Sequence, residues 1–306
     1  MKTKIILLAF LLSITLRAGG FDDLGNSARV VSMGGANIAV ADAPYSFFYN
    51  PAGIYNIKTL SLSSTYSNLY PGITDDNINY FSLSAVVPWE IIGELGIGGT
   101  FLNSQLWKEN TFVFTFARQI YGDVALGGSI KFLRWSAEAA PGESALSYFG
   151  FTFDVGAHYT ISDVIEGSDL KFGASIQNLT QPSISNSGSP DANLPITFGF
   201  GLAFVSNKYN YIVALDIVKN NEITKIKSGA EFLGLRENVF GLNTAFLIRL
   251  GYDGIVGSDV FSQRGINGGF GLSINEFKID YAYVFPLVLQ NVCGSHKISL
   301  NYNFNF

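Results

Sequence analysis

The sequence predicts an all-β fold, a 14-stranded antiparallel transmembrane β-barrel with an N-terminal segment plugging the lumen. Three observations carry this expectation. The 306 residues are 48% hydrophobic but only 14% charged, with a mean hydropathy of +0.26, whereas soluble domains carry about 25% charge. Past its first residues the chain has no run of about 18 uncharged apolar residues, which excludes spanning helices. From residue 57 onward, apolar and polar residues alternate with period two in segments mostly nine or more residues long. A tilted membrane strand needs about 9–11 residues, and soluble strands more often run about 5–6.

Residues 1–20 read as a signal peptide. Lys2 and Lys4 form a basic start, residues 5–12 an apolar core, and Ala18 or Gly20 a small-residue cleavage position. That core is too short to span a bilayer and fits an export signal. The mature chain is expected to start near residues 19–21, outside the cytoplasm. Cys293 is the only cysteine, so no intrachain disulfide can form. The net charge of −5 gives no basic footprint for nucleic acid.

Residues 21–56 differ from the rest. Small residues crowd together (Gly34, Gly35, Ala36, Ala39, Ala41, Ala43) ahead of Tyr45, Phe47, Phe48 and Tyr49. Pro51 restricts Asn50, and Gly53 permits a turn. The segment is too apolar for a disordered tail, and its small residues let backbone pass close to a wall. It fits a plug or hatch inside a barrel; a periplasmic cap or an exposed loop is the alternative.

Residues 57–306 make the barrel. The expected strands are 57–68, 77–87, 93–103, 110–120, 122–135, 145–160, 169–177, 194–206, 210–218, 223–233, 239–252, 263–274, 277–285 and 295–306. Fourteen is even, as bacterial single-chain barrels require. In the last strand Ile298, Leu300, Tyr302, Phe304 and Phe306 alternate with Lys297, Ser299, Asn301, Asn303 and Asn305. Phe112, Phe114 and Phe116 likewise alternate with Thr111, Val113 and Thr115. A bulky uncharged face opposite one of Gly, Ser, Thr and Asn suits lipid outside and a crowded lumen inside. An open edge has no place in hydrocarbon, so the strands must close.

Connections after odd strands are generally longer (136–144, 178–193, 253–262, 286–294), and those after even strands tighter (121, 207–209, 275–276), with 161–168 as an exception. This asymmetry is the outer-membrane pattern. Trp89, Tyr121, Trp135, Tyr209 and Tyr252 lie near strand ends and are expected in interfacial girdles.

No G-x-S-x-G elbow, Walker loop, H-E-x-x-H or dinucleotide fingerprint occurs, so no catalytic residue, cofactor or metal is assigned. His158 and Asp154 share an inner face, where a pair satisfied by its neighbours is the plain reading and a base without a nucleophile the alternative. Cys293 and His296 fall two ligands short of a zinc site. Lys131, Lys171, Lys225, Lys227, Arg249, Lys278 and Lys297 face Asp123, Asp154, Asp216, Glu231 and Asp280 on the inner surface. Mixed signs suit ion pairs bracing a filled lumen better than a selective pore.

The strings Gly-Asn-Ser-Ala-Arg (25–29, ending in Arg29), Met33-Gly34-Gly35-Ala36, Ala41-Asp42 and Asn50-Pro51-Ala52-Gly53 resemble the N-terminal motif of the PorV/PorQ family. That family lies within the superfamily of FadL-like outer-membrane transporters. Residues 280–283, Pro286, Gly294 and 296–300 are similar to its closing hairpin, and 121–127, 177–179 and 194–196 to its middle strands. The resemblance implies a fourteen-stranded barrel with a lumenal hatch in the outer membrane of a Gram-negative bacterium, with Phe306 as the end-of-chain assembly signal. It implies two functions. One is passive uptake of small hydrophobic compounds, with lateral exit through the wall and with Tyr45, Phe47, Phe48 and Tyr49 as the lining. The other is docking or shuttling of exported proteins in type IX secretion. Modest outer loops lean toward uptake and the family leans toward docking; uptake ranks first by a narrow margin, docking is the alternative, and a sealed structural barrel is a third possibility. Outer-membrane lipid is the expected surrounding partner.

Overall fold

The computed structural model describes residues 20–73, 76–139, 144–185, 193–220, 223–256, 265–286 and 293–304. Most of the expected signal peptide, the middle of the 178–193 connection and Phe306 lie outside the described residues. The strands are β1 (Ser61–Leu69), β2 (Ile78–Trp89), β3 (Gly93–Asn103), β4 (Trp107–Tyr121), β5 (Val124–Ala137), β6 (Leu146–Ile165) and β7 (Ser168–Gln177). They continue with β8 (Thr197–Ser206), β9 (Tyr211–Lys219), β10 (Thr224–Val239), β11 (Leu242–Val256), β12 (Gly265–Ile274), β13 (Phe277–Pro286) and β14 (Ser295–Asn303). Each pairs antiparallel with its neighbours in sequence, and β1 pairs with β14, closing a fourteen-stranded barrel. Closure leaves no edge to lipid.

The alternation divides the wall as its chemistry demands. Phe112, Phe114 and Phe116 of β4 stand exposed outside, while Val113 and Thr115 are buried inside. In β14 Ile298 and Leu300 face out, and Ser295, Lys297 and Ser299 are buried within.

Three strands run clearly longer than their sequence suggests; β4 starts at Trp107, three residues before the expected 110. β6 reaches Ile165 and turns at residues 166–167, so the connection expected at 161–168 is tight after all. It gets there through an irregular register between Ile161 and Ile165, with Asp163 in the left-handed region (φ 59°). The Asp163 carboxylate accepts the Gly167 N–H at 2.7 Å, which holds the turn. β10 continues past Gly234 by a register shift between Leu233 and Leu235. A glycine that reads as a break is the irregular point of a bulged strand.

Other expectations are corrected. The connections after β3 (104–106) and β9 (220–223) are short although they follow odd strands. Asp123 sits exposed in the β4–β5 turn instead of on an inner face. Trp135 points inward, buried and stacked on Trp107 at 4.7 Å, because it lies directly across from inward-facing Glu109. Trp89, Tyr121, Tyr209 and Tyr252 are exposed near strand ends.

Candidate functional site

The N-terminal segment folds by local rules. Ser27 accepts the Arg29 N–H at 3.2 Å and caps a one-turn helix, α1 (Ala28–Ser32). Gly34 and Gly35, at φ 66° and 82°, end it by reversing the chain. Two 3-10 turns follow, Pro44–Phe48 and Pro51–Ile54, each opened by proline. Asn50 caps the second, accepting the Ala52 N–H at 3.1 Å, and its amide donates to the carbonyls of Ile38 and Ala157 at 3.0 Å each.

Every strand touches this segment. Asn26 meets Thr65 of β1 and Tyr80 of β2; Phe47 lies on Gly98 of β3; the Phe21 N–H reaches Glu109 of β4. Pro51 lies against Gly127 of β5, the Ala39 carbonyl meets His158 Nε2 of β6, the Val40 carbonyl accepts from Lys171 of β7, and Ile38 covers Gly201 of β8. Asp216 of β9 accepts the N–H groups of Asn37 and Ile38 at 2.7 and 2.9 Å. Arg29 meets Glu231 of β10, Gly34 meets Gly251 of β11, Ser32 meets Gly269 of β12, and Ala28 packs on Ala282 of β13 and bonds Ser299 of β14. A segment touching all fourteen strands of a closed barrel occupies its interior.

Charge fixes the centre. Arg29 donates to both oxygens of Asp42 at 2.6 and 2.9 Å and to both oxygens of Glu231 at 2.8 and 2.9 Å. Glu231 is shared with Arg249, which lies 2.8 Å from Asp280, and Asn301 donates to Asp280 at 2.9 Å. Alternating signs in a largely buried cluster stabilise only when each charge is answered. Nearer the outer mouth Lys227 pairs with Asp23 at 2.9 Å.

Burial pushes the carboxyls of Asp42 and Asp23 up, but Arg29 and Lys227 outweigh it and hold both below the ordinary carboxylate value. A carboxyl depressed in the folded state stabilises that state fully above its unfolded pKa of about 3.9. The contribution is lost as pH falls through the lower, folded value. Hydrogen exchange, corrected for intrinsic rate, is therefore expected to show residues 24–42 protected at about pH 5 and opening below about pH 3, with the strands still protected.

The aromatic quartet is packed. Tyr45 and Phe47 are 1% exposed and Tyr49 6%, while Phe48 is half-buried. Phe47 joins Ile54, Val86 and Val113 in one cluster; Tyr45 and Tyr49 join Val30 and Ile38 in another. The small residues have a specific use. Inward glycines 127, 156, 173, 201, 229 and 251 receive the segment's backbone or proline ring where a Cβ would collide with it. Met33 lies across Gly229, and Gly53 sits against Ser46 within the segment.

The structure keeps His158 and Asp154 apart in role. His158 Nε2 lies 2.9 Å from the Ala39 carbonyl and its ring 5.0 Å from that of Tyr55. Asp154 pairs with Lys131 at 2.9 Å and accepts the Asn178 N–H at 2.8 Å. Cys293 is exposed, and His296 Nδ1 lies 2.8 Å from the Tyr281 hydroxyl on the outer wall. Sequence reasoning singled out Arg29 and Asp42 but left Glu231 and Asp216 among undifferentiated inner charges, and it missed the glycine sockets. Glycine in the inward phase of a strand was the available signal.

No curated protein matches this chain. Among solved structures it is similar to a FadL homologue of Pseudomonas aeruginosa (11% identity, 92% of this chain and 98% of that one, TM-score 0.60). It is similar to the CymD monoaromatic hydrocarbon channel (12%, 94% and 99%, TM-score 0.60) and to the toluene transporter TodX of Pseudomonas putida (13%, 92% and 98%, TM-score 0.56). At such identity these likenesses speak for the fold alone, a closed antiparallel β-barrel. The family described as type IX secretion system membrane protein PorP/SprF matches residues 44–302. With most of the barrel so matched, the chain belongs to the PorP/SprF family of type IX secretion system membrane proteins.

Proposed function

We propose that this protein is a plugged docking component of type IX secretion, holding secretion-system or exported proteins at its rims in the outer membrane. The carrying observation is the engagement of the N-terminal segment by all fourteen strands. A barrel braced this way offers surfaces instead of a passage. The PorP/SprF membership supports the same reading. The resemblance to PorV/PorQ at residues 25–53, beside those at the middle strands and the closing hairpin, includes residues that build the seal: Arg29, Asp42, Gly34 and Asn50. At the outer mouth a shallow cleft of about 680 Å³, lined by Pro71, Asp76, Asn103 and Gln105 among others, is open to a partner. Residues 1–20 serve export to this location, and lipid surrounds the wall.

A second reading, uptake of small hydrophobic compounds, draws on the FadL-like fold. It requires the segment to move, with Tyr45, Phe47, Phe48 and Tyr49 then lining the path. One experiment separates the two: affinity purification of the detergent-extracted protein from its native membrane, with proteins and bound lipids identified by mass spectrometry. Stoichiometric secretion-system or exported proteins are expected. A lone barrel carrying a fatty-acid-like or aromatic ligand would overturn docking in favour of uptake. In that case Phe48→Ala, at the one half-buried ring, should alter uptake.

A further inference from the structure

The start of the segment ends at a carboxylate. The Phe21 N–H points at Glu109 Oε2, 2.8 Å away, and Trp107 Nε1 donates to the other oxygen at 2.6 Å. Among the described residues no lysine or arginine pairs with Glu109. Its charged neighbour is itself acidic, Asp22, the residue after Phe21. A partly buried carboxylate lacking a cation is costly, and one amide N–H does not neutralise it. Phe21 is also held at φ 62°, a left-handed conformation that a bulky residue adopts only under strain. Residue 20, immediately before it, is glycine, and residue 18 is alanine. Small residues at these two places are what an export peptidase requires.

We infer that the chain is cut between Gly20 and Phe21 and that the freed α-amine of Phe21 docks on Glu109 inside the outer mouth of the barrel. In the cut, water adds across the peptide bond. Hydroxide goes to the Gly20 carbonyl carbon and a proton to the Phe21 nitrogen, with a signal peptidase as catalyst. The amine takes a further proton from solvent, its ordinary state near neutral pH. Three consequences follow together. Glu109 gains its missing cation, the like charges of Glu109 and Asp22 are offset, and the φ strain at Phe21 ends because no preceding carbonyl remains. Processing then fixes the outer end of the segment, as Arg29 fixes its middle.

The test uses the full-length protein purified from outer membranes. Tryptic mapping after native acylation with an amine-reactive reagent should recover residues 21–29 as a peptide beginning at Phe21, with the α-amine as its only amine. That amine should acylate about tenfold more slowly than in Glu109→Gln, since an ion pair that raises its pKa by about one unit removes about nine-tenths of the reactive free base. If E109Q fails to assemble, native against heat-denatured wild type reads the same protection. A chain starting at any other residue overturns the inference, as does equal acylation with and without the carboxylate.

Discussion

Replacing Arg29 with alanine is expected to release the N-terminal segment while the barrel stays closed. Arg29 is 5% exposed and answers two carboxylates from different parts of the chain, Asp42 thirteen residues on and Glu231 across the lumen. Removing one partner of a buried pair costs about 3–5 kcal/mol, because the remaining charge stays buried. The lower end applies here, since Glu231 keeps Arg249 and Asp42 is 33% exposed. The wall does not share that cost: its ladders run strand to strand and close through β1 and β14. Heat-modifiable mobility on gels should therefore persist, while residues 21–56 become open to protease. Arg29→Lys should rescue little, because an ammonium cannot span two carboxylates in the paired geometry of a guanidinium. A segment still protected in Arg29→Ala would mean that packing, not charge, holds it.

The barrel was legible in the sequence, and the clamp was only half so. Period-two alternation marks strands because neighbours point to opposite faces, and hydrocarbon outside permits no ambiguity about which face is bulky. That logic needs no partner information and reaches all fourteen strands. Which inner charges meet depends on register, and register depends on turns. A hairpin turning at 234–238 would place Glu231 opposite Gly241. The actual turn at Phe240 and Gly241, with one bulge beside Gly234, places it opposite Arg249. A single misread glycine thus hides an ion pair. Arg29 and Glu231 stand farther apart still, and no local pattern links them. Trp135 fails for a related reason: aromatic girdles are recognised by position along a strand, but facing is decided by phase, and its phase is that of Glu109.

Gly251→Val is expected to separate the segment from the wall by a different route, shape instead of charge. Gly251 faces Gly34 and Met33, and a Cβ there would run into the Gly34 nitrogen and the Met33 carbonyl carbon. Backbone cannot yield by changing rotamer, so the cost should reach or exceed the upper part of the about 1–3 kcal/mol typical of overpacking. The strand itself should not object, since valine suits a β-strand better than glycine. Docking is therefore disfavoured while the β10–β11 and β11–β12 ladders are kept or strengthened. Gly268→Val on β12 is the matched control: its Cβ would meet only Leu250 at 3.7 Å and the Arg249 carbonyl at 4.0 Å, ordinary contact on the outer side. In planar bilayers the wild type and Gly268→Val should pass no steady current. Gly251→Val should, because a fourteen-stranded barrel without its segment is an open tube. A silent Gly251→Val would mean that the lumen is blocked by something other than residues 21–56. A conducting wild type would mean that the segment gates the barrel without sealing it, which is the arrangement uptake needs and docking does not.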